Sequence, residues 1–350
     1  MNKFSNEITV AIDGIIFFLQ EKGGIRSYFE EMVKHANDMS LPFELIYYGS
    51  KPKLGIDEGI LKKDAPRIGE RYRRCRISNK TNIFHSSYYR LPQNGNAAIV
   101  TTVHDFTYER FVKGPRRWVH SWQKYKAIRA ADAVICISES TKRDLYEFLP
   151  DMKSKPVYIV PCGVSEDFFP VANVKVGISG PFALFVGARA GYKNFLSTVE
   201  AVSRVPNLKL VCVGGSPLTK KENILISRYL PNRCFHLGFV KSDVLNALYN
   251  CAVSLLYPSL YEGFGIPILE AMRAGCPVVA TRSSAIPEVA DSAALLTETG
   301  NVEDIHAALL KVLDPSIREN MIQSGIERAN DFSWSRTFSQ VFDIYQTILK

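Results

Sequence analysis

The sequence predicts an α/β protein of two doubly wound, Rossmann-like domains facing across a cleft. Three observations lead there. At 350 residues the chain is about twice a typical single domain of ~150 residues. Short apolar runs recur in two series, one on each side of a Pro- and Gly-punctuated stretch at 161–181. Helical periodicity fills the gaps between the runs, and strands alternating with helices build parallel sheets.

In the first series the expected strands are Ile8–Ile12, Phe43–Tyr48, Asn82–His85, Ala98–Val103, Ala133–Ile137 and Val157–Val160. Each is a short, near-continuous apolar run, the pattern of a strand buried on both faces. Phe29, Met32, Val33 and Ala36 fall on one face of a helix expected over Ser27–Ala36. Ser138-Glu139-Ser140-Thr141 suits a cap before a helix over Lys142–Phe148. In the second series the runs are Phe182–Val186, Leu208–Val213, Cys234–Leu237, Ala252–Leu256, Pro277–Ala280 and Ala293–Leu296. The tail Asp331–Lys350 spaces Phe332, Trp334, Phe338, Phe342 and Ile344 as a helix packing on the body of the protein.

Composition narrows the class. Hydrophobic residues are 46% and charged residues 22%, ordinary for a globular chain and unlike a disordered one. Net charge is +8, so anionic partners such as nucleotides, phosphates, nucleic acid or acidic lipid are compatible. Residues 1–176 hold 27 Lys and Arg against 20 Asp and Glu, and residues 177–350 hold 16 against 15. The basic excess therefore belongs to the first half. It is densest over 61–80, with Arg71, Arg73, Arg74 and Arg76, and again over Lys113–Arg129, where Trp118 and Trp122 lie one helical turn apart among cations. The seven cysteines are odd in number, widely spaced and without a CxxC pair, which argues against a disulfide framework or zinc knuckle and for a reducing compartment. Glu7 and Asp13 interrupt the apolar start, and no run approaches the ~20 residues of a membrane span. The expected location is the cytoplasm, with peripheral attachment to the inner face of a membrane allowed.

In open parallel sheets ligands gather at the carboxyl ends of the strands, so the loops there carry the chemistry. After the Ala252–Leu256 run stands Ser259-Leu-Tyr-Glu262-Gly-Phe264-Gly265-Ile266-Pro-Ile-Leu-Glu270. Two glycines make a tight turn and Pro267 suits a first helical turn. The amides of Phe264, Gly265 and Ile266 then face outward with the positive end of the helix dipole, a site for an anion such as phosphate. Glu262 and Glu270 suit hydroxyl recognition, each carboxylate oxygen accepting from an O–H, although Glu270 equally fits an ordinary acid early in a helix. After Phe182–Val186 comes Gly187-Ala-Arg189-Ala-Gly191-Tyr-Lys193-Asn194, whose Arg189 and Lys193 suit a diphosphate or a solvated turn. His104-Asp105 ends another strand, where the imidazole suits either a phosphate or sugar oxygen or a purely structural place, and Asp105 orients it or binds hydroxyls. Gly23-Gly24 precedes a helix and permits close backbone approach.

Missing motifs matter too. There is no HExxH, DxD or GxSxG, and no GxGxxG after the first strand, which removes the usual markers of a metalloprotease, a metal-chelating transferase, a serine hydrolase and a NAD-dependent oxidoreductase. A basic nucleic-acid-binding protein leaves the Glu262/Glu270 segment without a role.

The set Gly23-Gly24, His104-Asp105, Ile137-Ser138-Glu139-Ser140, Val160-Pro-Cys-Gly163-Val164, Gly187…Arg189…Lys193-Asn194, Glu262-x7-Glu270, Ala274-Gly-Cys-Pro277-Val-Val-Ala and Ile286-Pro-Glu288-Val289 resembles glycosyltransferase family 4, in order from about residue 8 to residue 345. The resemblance implies a retaining GT-B enzyme using a nucleotide sugar as co-substrate, with no bound cofactor or metal. It implies an acceptor-binding domain at 1–170, a donor-binding domain at 177–332, and a helix at 333–350 crossing back onto the first. By the same resemblance Glu270 would hold ribose hydroxyls, and Arg189 and Lys193 the diphosphate. The amides of Phe264, Gly265 and Ile266 would hold the distal phosphate and sugar, and Glu262 sugar hydroxyls. His104 would serve the sugar or β-phosphate, and Gly24 would lie near the phosphates. Family members often carry Arg before the Lys-Asn pair, whereas this chain has Tyr192. The implied reaction moves a hexose, GDP-mannose being the first donor to test, onto a saccharide or polyprenyl-diphosphate-linked acceptor in polysaccharide or O-antigen-type assembly. Arg71, Arg73, Arg74, Arg76, Trp118 and Trp122 would then meet an anionic membrane surface, with no nucleic acid involved.

Overall fold

A computed structural model of the chain describes residues 8–350; Glu7, used above in reading the N-terminus, lies outside the described residues. Two units result, one running to Gly163 and completed by Trp334–Lys350, the other spanning Val164–Ser333. The first holds β1 (Val10–Asp13), β2 (Phe43–Tyr48), β3 (Leu61–Asp64), β4 (Ile83–Ser86), β5 (Ala98–Val103), β6 (Ala133–Cys136) and β7 (Val157–Ile159), in the order β3-β2-β1-β4-β5-β6-β7. The second holds β8 (Phe182–Val186), β9 (Lys209–Val213), β10 (Cys234–His236), β11 (Ser254–Tyr257), β12 (Val278–Thr281) and β13 (Leu295–Thr297), in the order β10-β9-β8-β11-β12-β13. The pairings in both sheets are parallel.

Both sheets are doubly wound as expected, with one addition. The strand Leu61–Asp64 escapes the apolar-run criterion because its centre is Lys62-Lys63, both exposed. Charge on an edge strand blocks further pairing, so the feature that hid it from the sequence also suits its place. The sheet centres are near-uniformly apolar: β1, β4, β6, β11 and β12 are buried at every position. Each fully buried Leu, Ile, Val or Phe contributes about 1.5–3 kcal/mol, and in the second unit Phe185, Phe195, Val199, Leu210, Leu256 and Leu309 share one core.

Helix ends follow local chemistry. Ser138 Oγ accepts from Thr141 N at 2.9 Å, so the helix Glu139–Phe148 starts three residues before the expected Lys142. The helix Gly24–Asp38 likewise begins earlier than expected, at the second glycine. The last helix, Trp334–Ile348, packs on the first unit: Trp334 stacks on Phe338 with ring centres 5.5 Å apart, Tyr28 meets both edge-on, and Tyr345 Oη lies 2.5 Å from His85 Nδ1.

Candidate active site

In the second unit the strand order reverses between β8 and β11, the place where doubly wound sheets bind ligands. The loops after these two strands are Gly187–Asn194 and Pro258–Gly265. They are tied by Leu260 N donating to Tyr192 O at 2.7 Å, and by Lys193 Nζ donating to Glu262 Oε1 at 2.5 Å. Neither end of that ion pair is sealed, the side chains being 14% and 12% exposed. Burial, helped by the nearby Glu262 carboxylate, pushes up the hydroxyl of Tyr257, the last residue of β11, and its ring lies 5.3 Å from the Lys193 ammonium. Ser284 Oγ accepts from Glu262 N at 2.7 Å, and Asn194 Nδ2 donates to Gly300 O at 2.5 Å. Loops following four of the strands thus fix one lysine and one carboxylate.

Beside them starts the helix Ile266–Arg273. Its N-cap, Gly265, sits at φ 115°, a backbone conformation strained for any residue with a side chain, and an added Cβ there would also crowd Ile268 Cδ1 at 3.2 Å. Amides at a helix start lack partners within the helix, which applies to those at Gly265 and Ile266, the N-cap and first residue of this helix. The Phe264 ring is buried and meets Phe332 edge-on at 5.9 Å, anchoring the turn. One helical turn along, Glu270 Oε2 accepts from Tyr249 Oη at 3.0 Å. Burial pushes the Glu270 carboxyl up to about 7, and the Tyr249 hydrogen bond partly opposes that rise. The Tyr257 hydroxyl lies within electrostatic reach of both Glu262 and Glu270, so the two carboxylates share one neighbourhood.

Arg189 is placed differently. Its Nε donates to Glu222 Oε1 at 2.8 Å, Nη1 to Gly214 O at 3.3 Å and Nη2 to Ser216 O, and its side chain is 3% exposed. Glu222 also completes a capping box with Thr219. The guanidinium therefore braces its own loop against the turn after β9 instead of standing beside Lys193 as a free fork.

In the first unit Gly23 and Gly24 are exposed at the start of the helix Gly24–Asp38, with nothing within 4 Å of where a Cβ on Gly24 would lie. His104 follows β5, is buried, and lies edge-on to Tyr28 at 5.1 Å. Burial holds its pKa down at about 4, so near neutral pH it acts as an uncharged imidazole. Asp105 Oδ1 accepts from Thr107 N at 2.9 Å, and its carbonyl accepts from Lys124 Nζ at 2.5 Å. Lys124 is itself buried, 3.1 Å from Glu109 Oε2 and 3.6 Å above the Phe106 ring.

The basic surface carries Trp118 at 73% and Trp122 at 61% exposure on the helix Pro115–Ala130. Its arginines are partly engaged. Arg76 pairs with Asp64 at 2.6 Å, Arg73 donates to Ile68 O at 2.9 Å, Arg74 donates to Pro92 O at 3.1 Å, and Arg71 turns onto Tyr88. Beneath them Arg90, fully buried, joins Asp13 at 3.0 Å and Glu70 at 2.6 Å. Sequence reading missed Arg90, Tyr249, Tyr257 and Lys124. Tyr257 alone carried a signal, as the last residue of a strand at the switch point. Among the described residues no group of three or more His, Cys, Asp or Glu gathers as metal ligands, and no helix is long and apolar enough to cross a membrane.

Comparison with known proteins agrees with this geometry. Residues 23–168 match the profile of Glycosyltransferase Family 4, and residues 174–328 that of Glycosyl transferases group 1. O-antigen chain mannosyltransferase B of Escherichia coli is 26% identical over 291 residues, covering 77% of this chain and 75% of that protein. A serotype-specific mannosyltransferase of Escherichia coli is 26% identical over 264 residues, covering 69% of this chain and 32% of that longer protein. Sucrose-phosphate synthase from Thermosynechococcus elongatus superposes with a TM-score of 0.81 at 18% identity, over 98% of this chain and 99% of that one, so its fold is shared. With both halves matched, a doubly wound sheet in each unit and a lysine, two carboxylates and a helix start gathered at the second switch point, the chain belongs to glycosyltransferase family 4 and is a hexosyltransferase.

Proposed function

We propose that the chain transfers mannose, with retention of configuration, from GDP-mannose to a saccharide or polyprenyl-diphosphate-linked saccharide in polysaccharide or O-antigen-type assembly. The mannose assignment is supported by the two mannosyltransferase relatives. The observation that carries the donor site is the Lys193–Glu262 pair beside the start of the helix Ile266–Arg273, with Glu270 one turn along. A diphosphate takes the Lys193 ammonium and the amides of Phe264, Gly265 and Ile266. Glu262, released from Lys193, accepts from hydroxyls of the sugar, and Glu270 accepts from the ribose diol. Arg189 contributes by holding the loop that carries Lys193.

In the transfer step the acceptor oxygen forms a bond to the anomeric carbon while the bond from that carbon to the β-phosphate oxygen breaks. The acceptor's proton passes to the departing diphosphate. Preorganised cations and amides facing the developing charge stabilise such a transition state by several kcal/mol where water is excluded. His104 acts as a neutral hydrogen-bond partner of the sugar, Asp105 supports it, and Gly23 and Gly24 allow backbone approach to the phosphates. We assign Trp118, Trp122 and the exposed cations Arg73, Arg74 and Arg76 to an anionic membrane surface, each near-surface cation being worth about 1 kcal/mol, and leave out Arg71, which turns inward onto Tyr88.

A thermal-shift panel of GDP, UDP, dTDP and their sugars, with NAD as control, tests the reading on wild type and Glu270→Ala. A ligand at about 100 times its Kd adds about 2.7 kcal/mol of stability. A rise with GDP-mannose that Glu270→Ala abolishes supports it, and stabilisation by NAD alone refutes it.

A further inference from the structure

We infer that Tyr108, Tyr88, His120, Arg71 and Asp105 form a subsite for an acceptor hexose ring on the first unit, an inference that rests on the transferase reading above. The strands β4 and β5 are neighbours in the sheet, and the residues just past their carboxyl ends include Tyr88 and Tyr89 on one side and His104 to Tyr108 on the other. The helix Pro115–Ala130 brings His120 against them. The His120 ring stacks on Tyr108 at 3.9 Å and 14°, while Tyr88 and Tyr89 meet it at steep angles, each with ring centres 5.9 Å away. Tyr88 Oη lies 3.3 Å from His120 Nε2 and accepts from Arg71 Nη2 at 3.2 Å. The Arg71 guanidinium lies over the Tyr88 ring at 4.7 Å, and Gln123 Nε2 donates to the Arg71 backbone carbonyl at 2.7 Å, fixing the main chain from which it projects.

Two features point to a polyhydroxylated ring. First, His120 Nδ1, His104 Nε2 and Arg71 Nε are buried without a hydrogen-bond partner, and both histidines are 7% exposed. Buried polar groups nearly always have partners, so the orphans on His120 and Arg71, both of which bond the Tyr88 hydroxyl, mark a place where a ligand supplies them, with His104 beside Asp105. Second, one face of Tyr108 is covered by His120 while the residue remains partly exposed, leaving an aromatic face for the apolar C–H face of a hexose. Charge agrees. Lys124 and Glu109 neutralise one another, which leaves Arg71 and Asp105, one of each sign, and so favours an uncharged, hydroxyl-rich ligand over an anion. Arg71 accordingly serves the saccharide from inside the fold, in contrast to the outward-facing neighbours Arg73 and Arg74.

Saturation-transfer NMR on the full chain, with GDP present, tests the inference using octyl α-mannoside, octyl β-glucoside and octyl β-galactoside as probes. Wild type should bind at least one of them. Tyr108→Leu and Arg71→Gln should each weaken that binding by about tenfold or more, while GDP affinity stays unchanged and Tyr108→Phe, which keeps the ring, retains it. If no glycoside binds wild type, or binding survives both substitutions, the subsite assignment is overturned. Failure of every nucleotide to bind wild type strikes the transferase reading instead, and the same titrations reveal it separately.

Discussion

The ammonium of Lys193 and the carboxylate of Glu262 meet at 2.5 Å across two loops at the switch point of the second sheet. Each is the other's partner, and each is a group proposed above to meet the nucleotide sugar. In the function proposed above, a diphosphate would replace the carboxylate at Lys193 and free Glu262 for hydroxyls, and the pair holds both side chains in place without sealing them.

Removing the lysine tests this exchange. Lys193→Met should lower kcat by about 10²–10³, the usual loss when one donor to a developing anion is deleted. It should also leave Glu262 a partly buried carboxylate without its cation. Steady-state kinetics with the donor identified by thermal shift would show the loss, and an unchanged kcat would remove Lys193 from the diphosphate.

With Glu270 on the ribose, as proposed above, donor binding should depend on pH. Its carboxyl is raised to about 7 by burial, above the ordinary value near 4.3. Ribose hydroxyls need the ionised form as acceptor, so nucleotide affinity should fall as pH drops below 7, and Glu270→Gln should flatten the profile. Stability runs the opposite way. An acid whose folded pKa is raised binds more protons folded than unfolded between the two values, so the fold loses stability as pH rises from about 4 to above 7. Glu270→Gln should therefore raise Tm at pH 8 while weakening nucleotide binding. Tyr249→Phe, which removes the hydrogen bond opposing the rise, should move the affinity midpoint to higher pH.

The parts of this fold legible in the sequence were those that repeat. Apolar runs at regular intervals gave both sheets, and glycines, Pro267 and paired carboxylates stood out because each marks a loop after a strand. What escaped was set by tertiary neighbours. The edge strand Leu61–Asp64 is charged because it has one partner only. Arg189 carries no mark in sequence to say that its guanidinium closes on Glu222, 33 residues away. Tyr249 and Lys124 sit inside helices with no local mark of their partners, and only the folded chain brings them to Glu270 and to the Asp105 carbonyl.

Arg90 should dominate the stability of the first unit. It lies at 0% exposure between Asp13 and Glu70, and Glu70 binds Arg67 as well. Burial raises Asp13 to about 6 despite Arg90, while the hydrogen bonds from Arg67 overcome burial and hold Glu70 down at about 2. Arg90→Met leaves two buried carboxylates without their shared cation and should cost about 3–5 kcal/mol. Denaturant unfolding would measure it. A loss below about 1 kcal/mol would mean that water or a rearranged Arg67 takes over the carboxylates.

The exposed tryptophans separate surface attachment from catalysis. Trp118 and Trp122 are 73% and 61% exposed, and Lys126 lies 5.1 Å from the Trp122 ring. Large amphipathic rings beside cations suit the headgroup layer of an anionic bilayer, where apolar burial and charge attraction add. Trp118→Ser with Trp122→Ser should reduce co-sedimentation with vesicles containing phosphatidylglycerol by about tenfold, since each ring removed forfeits its buried apolar area. Binding to purely zwitterionic vesicles should be weak for both proteins, and transfer to a water-soluble glycoside should be unchanged. If the double variant loses soluble-acceptor activity while vesicle binding is unaltered, the tryptophans serve the acceptor and the membrane assignment fails.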